Sequence, residues 1–218
     1  MFPYSSHSGS GRMPHRASRV SLSLCLASML ASLTVNTLPA AAAQGAPVAR
    51  TCPAVTLSQP FLMWGDSSSY TLVAGGSFEG SLVGWTLSGG AQKVAGSEPY
   101  GATGAVGSSS LGLPAGASAQ SPFTCVEASY KTFRFFARNT GAASKVLVHV
   151  TYQTPIGLVS VPVGTVTLTN GWQPTAAMPT GAQLAGGLLG GTAQMALTFT
   201  AVTGNSVIDD VFVDPRMR

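Results

Sequence analysis

Three groups of residues in this 218-residue chain have types and spacings that could do chemistry. The first is carboxylate: Glu79 early in the chain and the adjacent pair Asp209-Asp210 near its end. On a strand, neighbours point to opposite faces, so one aspartate of the pair is sent inward and must be paired or bound to a cation. The second is a polar and aromatic set, Arg134, Phe136 and Arg138 with His149, Thr151 and Gln153, able to hydrogen-bond and stack on a ligand. The third is thiol: Cys52 and Cys125. Catalytic signatures are missing. No G-x-S-x-G, P-loop, H-E-x-x-H or dinucleotide fingerprint occurs. A glycosidase pair among Glu79, Glu98, Glu127 and the aspartates is the one enzymatic alternative left.

The start of the chain is read as an export signal. Met1 to Arg19 carries Arg12, Arg16 and Arg19 and no acid, Val20 to Leu38 is mostly apolar, and Pro39 to Ala43 offers a small-residue cleavage site. Residues 1–43 are therefore expected to be removed, with Met13 as an alternative start. A membrane anchor is the competing reading, but the apolar run is short and interrupted by Ser21, Ser23, Ser28, Ser32, Thr34 and Asn36. Removal takes away Cys25 and leaves Cys52 and Cys125. In an oxidising compartment, these two are expected to form a disulfide that ties residues 44–69 to the middle of the chain. Zinc is disfavoured, because one histidine and two cysteines are too few for an ordinary site.

The whole chain has 11 basic and 7 acidic residues, a net charge of +4. Three of the basic residues lie in the signal and none of the acids does, so eight remain against seven. The basicity is an export feature, not a footprint for nucleic acid or membrane. What persists is a charged fraction of only 8%, which suits an uncharged partner or none.

Short apolar segments punctuated by Gly, Pro, Asn and Ser predict an all-β sandwich over 70–218. The expected strands are Tyr70–Val73, Trp85–Leu87, Ala91–Val94, Ser109–Leu113, Ala119–Phe123, Thr132–Arg138, Lys145–Gln153, Leu158–Val166, Met195–Ala201 and Val207–Val213. One hairpin is expected in detail. Across the turn Asn139 to Ser144, Phe133, Phe135 and Ala137 would pair with Val150, Val148 and Val146 on the core face. The reverse face would then gather Arg134, Phe136, Arg138 and His149, open to a ligand or covered by the Gly-rich loop Gly181 to Gly191.

Three ordered motifs, Gly75-Gly76-Ser77-Phe78-Glu79 with Gly84-Trp85, then Gly107 to Leu111, then Ile208-Asp209-Asp210-Val211, together resemble the galactose-binding-like jelly rolls of carbohydrate-binding modules, families 4 and 9 in particular. The resemblance spans about Leu72 to Asp214. It implies a jelly-roll β-sandwich of two antiparallel sheets. It also implies a secreted, non-catalytic module for a polysaccharide or other neutral glycan, at the Arg134, Phe136, Arg138, His149, Thr151 and Gln153 face. Trp64, Tyr70 and Tyr100 are alternative stacking platforms, and Trp172 resembles a structural core tryptophan. The resemblance further implies a structural calcium ion held by Glu79 with Asp209 or Asp210. The competing reading is that Glu79 caps a turn and the aspartates are hydrogen-bonded. A structural or interaction protein of the cell envelope, with no sugar ligand, is the alternative function.

Overall fold

In the computed structural model, residues 51–184 and 190–215 are described; the expected signal peptide, residues 1–43, lies outside them. Alternating apolar residues build thirteen strands in two antiparallel sheets. Sheet one runs β10 (Gln173–Pro174), β7 (Thr132–Asn139), β13 (Ser206–Asp214), β4 (Ser109–Leu113) and β3 (Gln92–Ala95), with β1 (Thr71–Leu72) on β13 and β11 (Met178–Pro179) on β7. Sheet two runs β2 (Thr86–Ser88), β5 (Ser118–Gln120), β12 (Thr192–Thr203), β8 (Ser144–Thr154) and β9 (Gly157–Leu168), with β6 (Thr124–Glu127) on β12. The all-β jelly-roll sandwich expected from the sequence is what forms.

Between the sheets, Phe133 and Phe135 on β7 meet Val146, Val148 and Val150 on β8 and Met195, Leu197 and Phe199 on β12, all essentially without solvent exposure. Phe135 and Phe199 touch edge to face at 4.9 Å. The alternation thus identified the correct core face, but the expected hairpin does not exist. β7 pairs with β13, β10 and β11, whereas β8 pairs with β12 and β9. The segment 140–143 crosses from one sheet to the other, so the phenylalanines and valines face each other through the core rather than lying side by side. Period-two alternation says which face is apolar and cannot say whether the opposing apolar face lies beside it or across from it.

β13 carries the decisive irregularity. Its register on β7 shifts between Asp209 and Phe212, and Asp210 sits at φ 46°. Into this bulge folds the turn after β1: the Val73 amide donates to the Val211 carbonyl and the Val211 amide to the Gly76 carbonyl. A side chain at position 76 would stand 2.9 Å from the Val73 carbonyl oxygen, which is why the motif needs glycine there. Just beyond it, Phe78 and Trp85 are buried and meet at 5.0 Å, with the Trp85 indole donating to the Ala74 carbonyl.

Cys52 and Cys125 form the expected disulfide, with Cα atoms 5.5 Å apart and a sequence separation of 73. It fastens the beginning of the described chain to β6. Closing so long a loop restricts the unfolded chain most, so replacing both cysteines by alanine should lower stability by about 2–4 kcal/mol, read as a shift of the urea midpoint at unchanged slope.

Candidate functional site

The expected ligand face is divided between two surfaces. Arg134, Phe136 and Arg138 lie on the outside of sheet one; His149, Thr151 and Gln153 lie on the outside of sheet two. They cannot share a ligand.

The sheet-one surface is closed. Phe136 is fully buried, stacked on Phe61 at 5.4 Å and touched edge to face by Trp64 at 5.4 Å; Tyr70 and Phe212 complete a second apolar cluster. The cover is the segment before β1, whose short 3-10 turn Leu62–Trp64 lays Phe61 into the sheet. Residues 185–189 of the Gly181 to Gly191 loop lie outside the described residues. Arg134 is drawn under the same cover: its Nη1 donates to Asp66 at 2.7 Å, its Nε to the Thr175 carbonyl, and its guanidinium lies 4.2 Å from the Phe61 ring centre. Burial raises the Asp66 pKa, but hydrogen bonds from Tyr70, Ser68 and Arg134 outweigh it and hold the carboxyl below its usual range. Arg138 stacks on the half-buried Trp172, which belongs to this outer cluster rather than to the core between the sheets. Of the alternative platforms, Tyr70 is buried, and Trp64 and Tyr100 pack on each other at 4.9 Å. The sequence offered one clue to the cover: Arg134 needed a carboxylate, and Asp66 and Tyr70 stood upstream among aromatics.

Among the described residues the sheet-two surface has no such cover, and it is mostly polar, although Leu147, Leu158 and Pro162 also stand on it and Thr151 is buried. Cross-strand registers set Ser88, Ser118, Thr200, Leu147 and Thr165 in one row, and Thr86, Gln120, Thr198, His149 and Pro162 in the next. Thr151 lies beside Ser160, and Gln153 beside Gln194 and Leu158. Neighbouring groups are pre-ordered: the Ser118 and Thr200 hydroxyls are 3.1 Å apart, the Gln120 amide donates to Thr198 Oγ1 at 3.2 Å, and Thr151 donates to Ser160 Oγ at 3.0 Å. Glu127 stands at one end, accepting from the Cys52 amide, and Lys145 at the other. No Phe, Tyr or Trp projects from these strand rows, so the chemistry that they offer is hydrogen bonding.

The carboxylates form a separate cluster at the β13 bulge. Glu79 is exposed and fully engaged: Oε1 accepts from the Ser108 and Ser109 amides and Oε2 from the Ser108 hydroxyl. Burial raises its pKa, but these bonds and the nearby Lys93 charge outweigh that and lower it. Asp209 and Asp210 are both buried, because the bulge breaks the alternation that would have sent one of them out. Glu98, expected only as a candidate glycosidase carboxylate and not in the calcium set, is also fully buried; its oxygens accept from the Tyr100 and Ala102 amides. Asp209 accepts from the Ser97 hydroxyl and the Glu98 amide. Burial, partly offset by these bonds, pushes Asp209 up to about 6; burial and then the charges of Asp209 and Glu98 push Asp210 up to about 8.

The donor chemistry, hard oxygens with uncompensated buried charge, suits calcium. The placement is less suited: among the described residues, no three His, Cys, Asp or Glu side chains stand where they could hold one metal ion. Glu79 accepts from Ser108 and Ser109, the turn-capping arrangement, and its Oε2 holds a single hydrogen bond.

No family model matches the chain, and no curated protein sequence matches it. Among solved structures, it is similar to a Clostridium thermocellum endo-1,4-beta-D-xylanase CBM22-1–GH10 pair complexed with xylohexaose (15% identity, 65% of this chain and 28% of that one, TM-score 0.44). It is similar also to a CBM22-1 xylan-binding domain of Paenibacillus barcinonensis (13%, 63% and 90%, TM-score 0.42). A third is a Clostridium thermocellum family 11 carbohydrate-binding module in complex with a beta-1,3-1,4-mixed-linked tetrasaccharide (12%, 63% and 92%, TM-score 0.40). These belong to families 22 and 11, not to 4 or 9. Function has to be argued from the site itself.

Two predictions follow from the geometry. Phe136→Ala removes a fully buried ring and should cost about 3–5 kcal/mol of stability, measured by denaturant unfolding. With a chelator present, stability should fall as pH rises from about 4 to about 8. Over that window the unfolded chain gives up protons that folded Asp209 and Asp210 retain. The loss should reach about 1 kcal/mol or more, and Asp210→Asn should flatten the profile.

Proposed function

We propose that this protein is an exported, non-catalytic module that binds an uncharged polysaccharide along the outer face of sheet two. One observation carries the reading. Of the two outer surfaces of the sandwich, one is sealed by Phe61, Trp64 and Tyr70, while the other holds ordered rows of hydroxyl and amide groups from five strands. Such a surface can exchange hydrogen bonds with many sugar hydroxyls. It gives little to a charged ligand, since Glu127 and Lys145 stand at opposite ends of the strand pairings. Placement supports the non-catalytic reading: His149 lies between Thr198 and Pro162 on this face, on the other sheet from the buried Asp209 and Asp210.

Affinity electrophoresis through xylan, mixed-linked β-glucan and a polyanionic glycan tests this. Retardation is expected on a neutral gel and not on the anionic one. The double substitution His149→Ala with Gln153→Ala should weaken it about tenfold or more. Absence of binding to any glycan would leave the envelope-protein alternative.

We also propose calcium as a counter-charge at the β13 bulge, held by Glu79 with Asp209 or Asp210 and by backbone carbonyl oxygens near Gly76. A bound cation favours the ionised forms, so added calcium should raise the melting temperature more at pH 8 than at pH 5. Identical melting with calcium and with chelator at pH 8 would refute the site.

A further inference from the structure

One row of side chains beyond Phe136, the outer side of sheet one forms a trough. Cross-strand registers set Arg138 on β7 opposite Val207 on β13, Val207 opposite Gly112 on β4, and Gly112 opposite Gln92 on β3. Neighbouring strands stand about 4.8 Å apart, so about 14 Å separates the first Cα from the last. Two long side chains therefore flank a valine and a glycine. The floor is apolar: Val207 is buried, and a side chain at position 112 would stand 2.8 Å from Val94 Cγ1, which fills that place. The trough encloses about 300 Å³ and is bounded at one end by Thr140 and Asn205. No residue of the aromatic cover lines it.

Its polar side chains are donors. Arg138 rests its guanidinium on Trp172, 5.4 Å from the ring centre, and gives Nη1 to the Asn139 carbonyl. Among the described residues it has no carboxylate partner, whereas Arg134, on the same strand, has Asp66. Asn205 Oδ1 accepts from the Ala115 amide, which leaves the side-chain NH2 to the trough. Gln92 and Thr140 are exposed beside it. Among the described residues no Asp or Glu lines the trough. A guanidinium held against an indole and an apolar floor is less screened than one in open water, which strengthens a charge-assisted bond to an anion.

We propose that this trough binds one uronate, a sugar ring bearing a carboxylate, at a site separate from the outer face of sheet two. Three features select that ligand. Nε and Nη2 of Arg138 can meet both oxygens of a carboxylate. The amides of Asn205 and Gln92 and the Thr140 hydroxyl match ring hydroxyls. A space of about 300 Å³ admits one ring rather than a run of them. The ligand is thus a free sugar acid or the last unit of a chain, and a polyanion whose carboxylates are all internal is not one. The assignment does not rest on the glycan reading of sheet two.

The chain has three tryptophans, so the Trp172 indole signal in a proton–nitrogen correlation spectrum is identified by its loss in Trp172→Phe. Sodium D-glucuronate, added at constant ionic strength, should shift that signal saturably, with a dissociation constant of about 1 mM. D-Glucose and sodium acetate should not shift it at the same concentrations. Arg138→Gln and Asn205→Asp, read at the Thr140 backbone amide, should each weaken binding about tenfold or more. Asn205→Asp keeps the oxygen that accepts from Ala115, so it preserves the turn while setting a like charge against the ligand. His149→Ala with Gln153→Ala should leave the constant unchanged, so this site and the sheet-two reading fail separately. A neutral oligosaccharide ending in one glucuronate tells the two sources apart. Tighter binding than the free acid assigns a chain end, equal or weaker binding a small molecule, and either supports the site. No saturable shift, an equal response to acetate or glucose, or binding indifferent to both substitutions overturns the proposal.

Discussion

Sheet one carries large aromatic side chains on both of its faces, and most of the architecture answers that constraint. Phe133 and Phe135 point into the space between the sheets; Phe136, on the same strand, and Phe212, on the next, point the opposite way. A sheet with one wet face would carry polar residues there. The protein supplies a third layer instead, from the segment before β1. Phe61 lies on Phe136, Tyr70 and Trp64 close the sides, and the Asp66–Arg134 ion pair satisfies the one cation caught beneath. A buried guanidinium left without its carboxylate would cost more than the aromatic contacts return, so the pair and the cover stand or fall together. The disulfide ties the start of the same segment to β6, in sheet two. Sheet two has less of this problem: Thr, Ser and Gln make up most of its outer face, and no aromatic layer covers it among the described residues.

The sequence made some of this legible and hid the rest for identifiable reasons. Strand positions emerged well, because Gly, Pro and Asn punctuate them: Ser109–Leu113 coincides with β4, and Val207–Val213 lies within β13. The core faces of β7, β8 and β12 could be read from alternation alone. Strand pairing could not. A six-residue turn between two alternating strands is compatible with a hairpin and with a crossing between sheets, and the energy that decides belongs to distant partners, β13 for one strand and β12 for the other. The error propagated directly to the candidate site, because a hairpin would have merged two outer surfaces that the fold keeps apart. Phe136 was misread for the same reason. An aromatic flanked by arginines looks exposed until Asp66 and Phe61, some 70 residues upstream, are brought over it.

The bulge in β13 shows how a local departure from pattern concentrates charge. Regular alternation would have placed one aspartate outward; the bulge, with Asp210 in the left-handed region, buries both beside Glu98. Strain in a non-glycine residue and three poorly solvated carboxylates are costs that a sandwich of this size has no need to carry for packing alone. Hydrogen bonds from Ser97 and from the Glu98, Tyr100 and Ala102 amides meet part of the cost and fix the 97–102 loop onto the sheet. The same loop presents Tyr100 to Trp64, in the third layer. The carboxylate cluster and the aromatic cover are therefore mechanically joined. Asp209 accepts from the Ser97 hydroxyl and the Glu98 amide, so the bulge holds the near end of a loop whose far end packs on the cover.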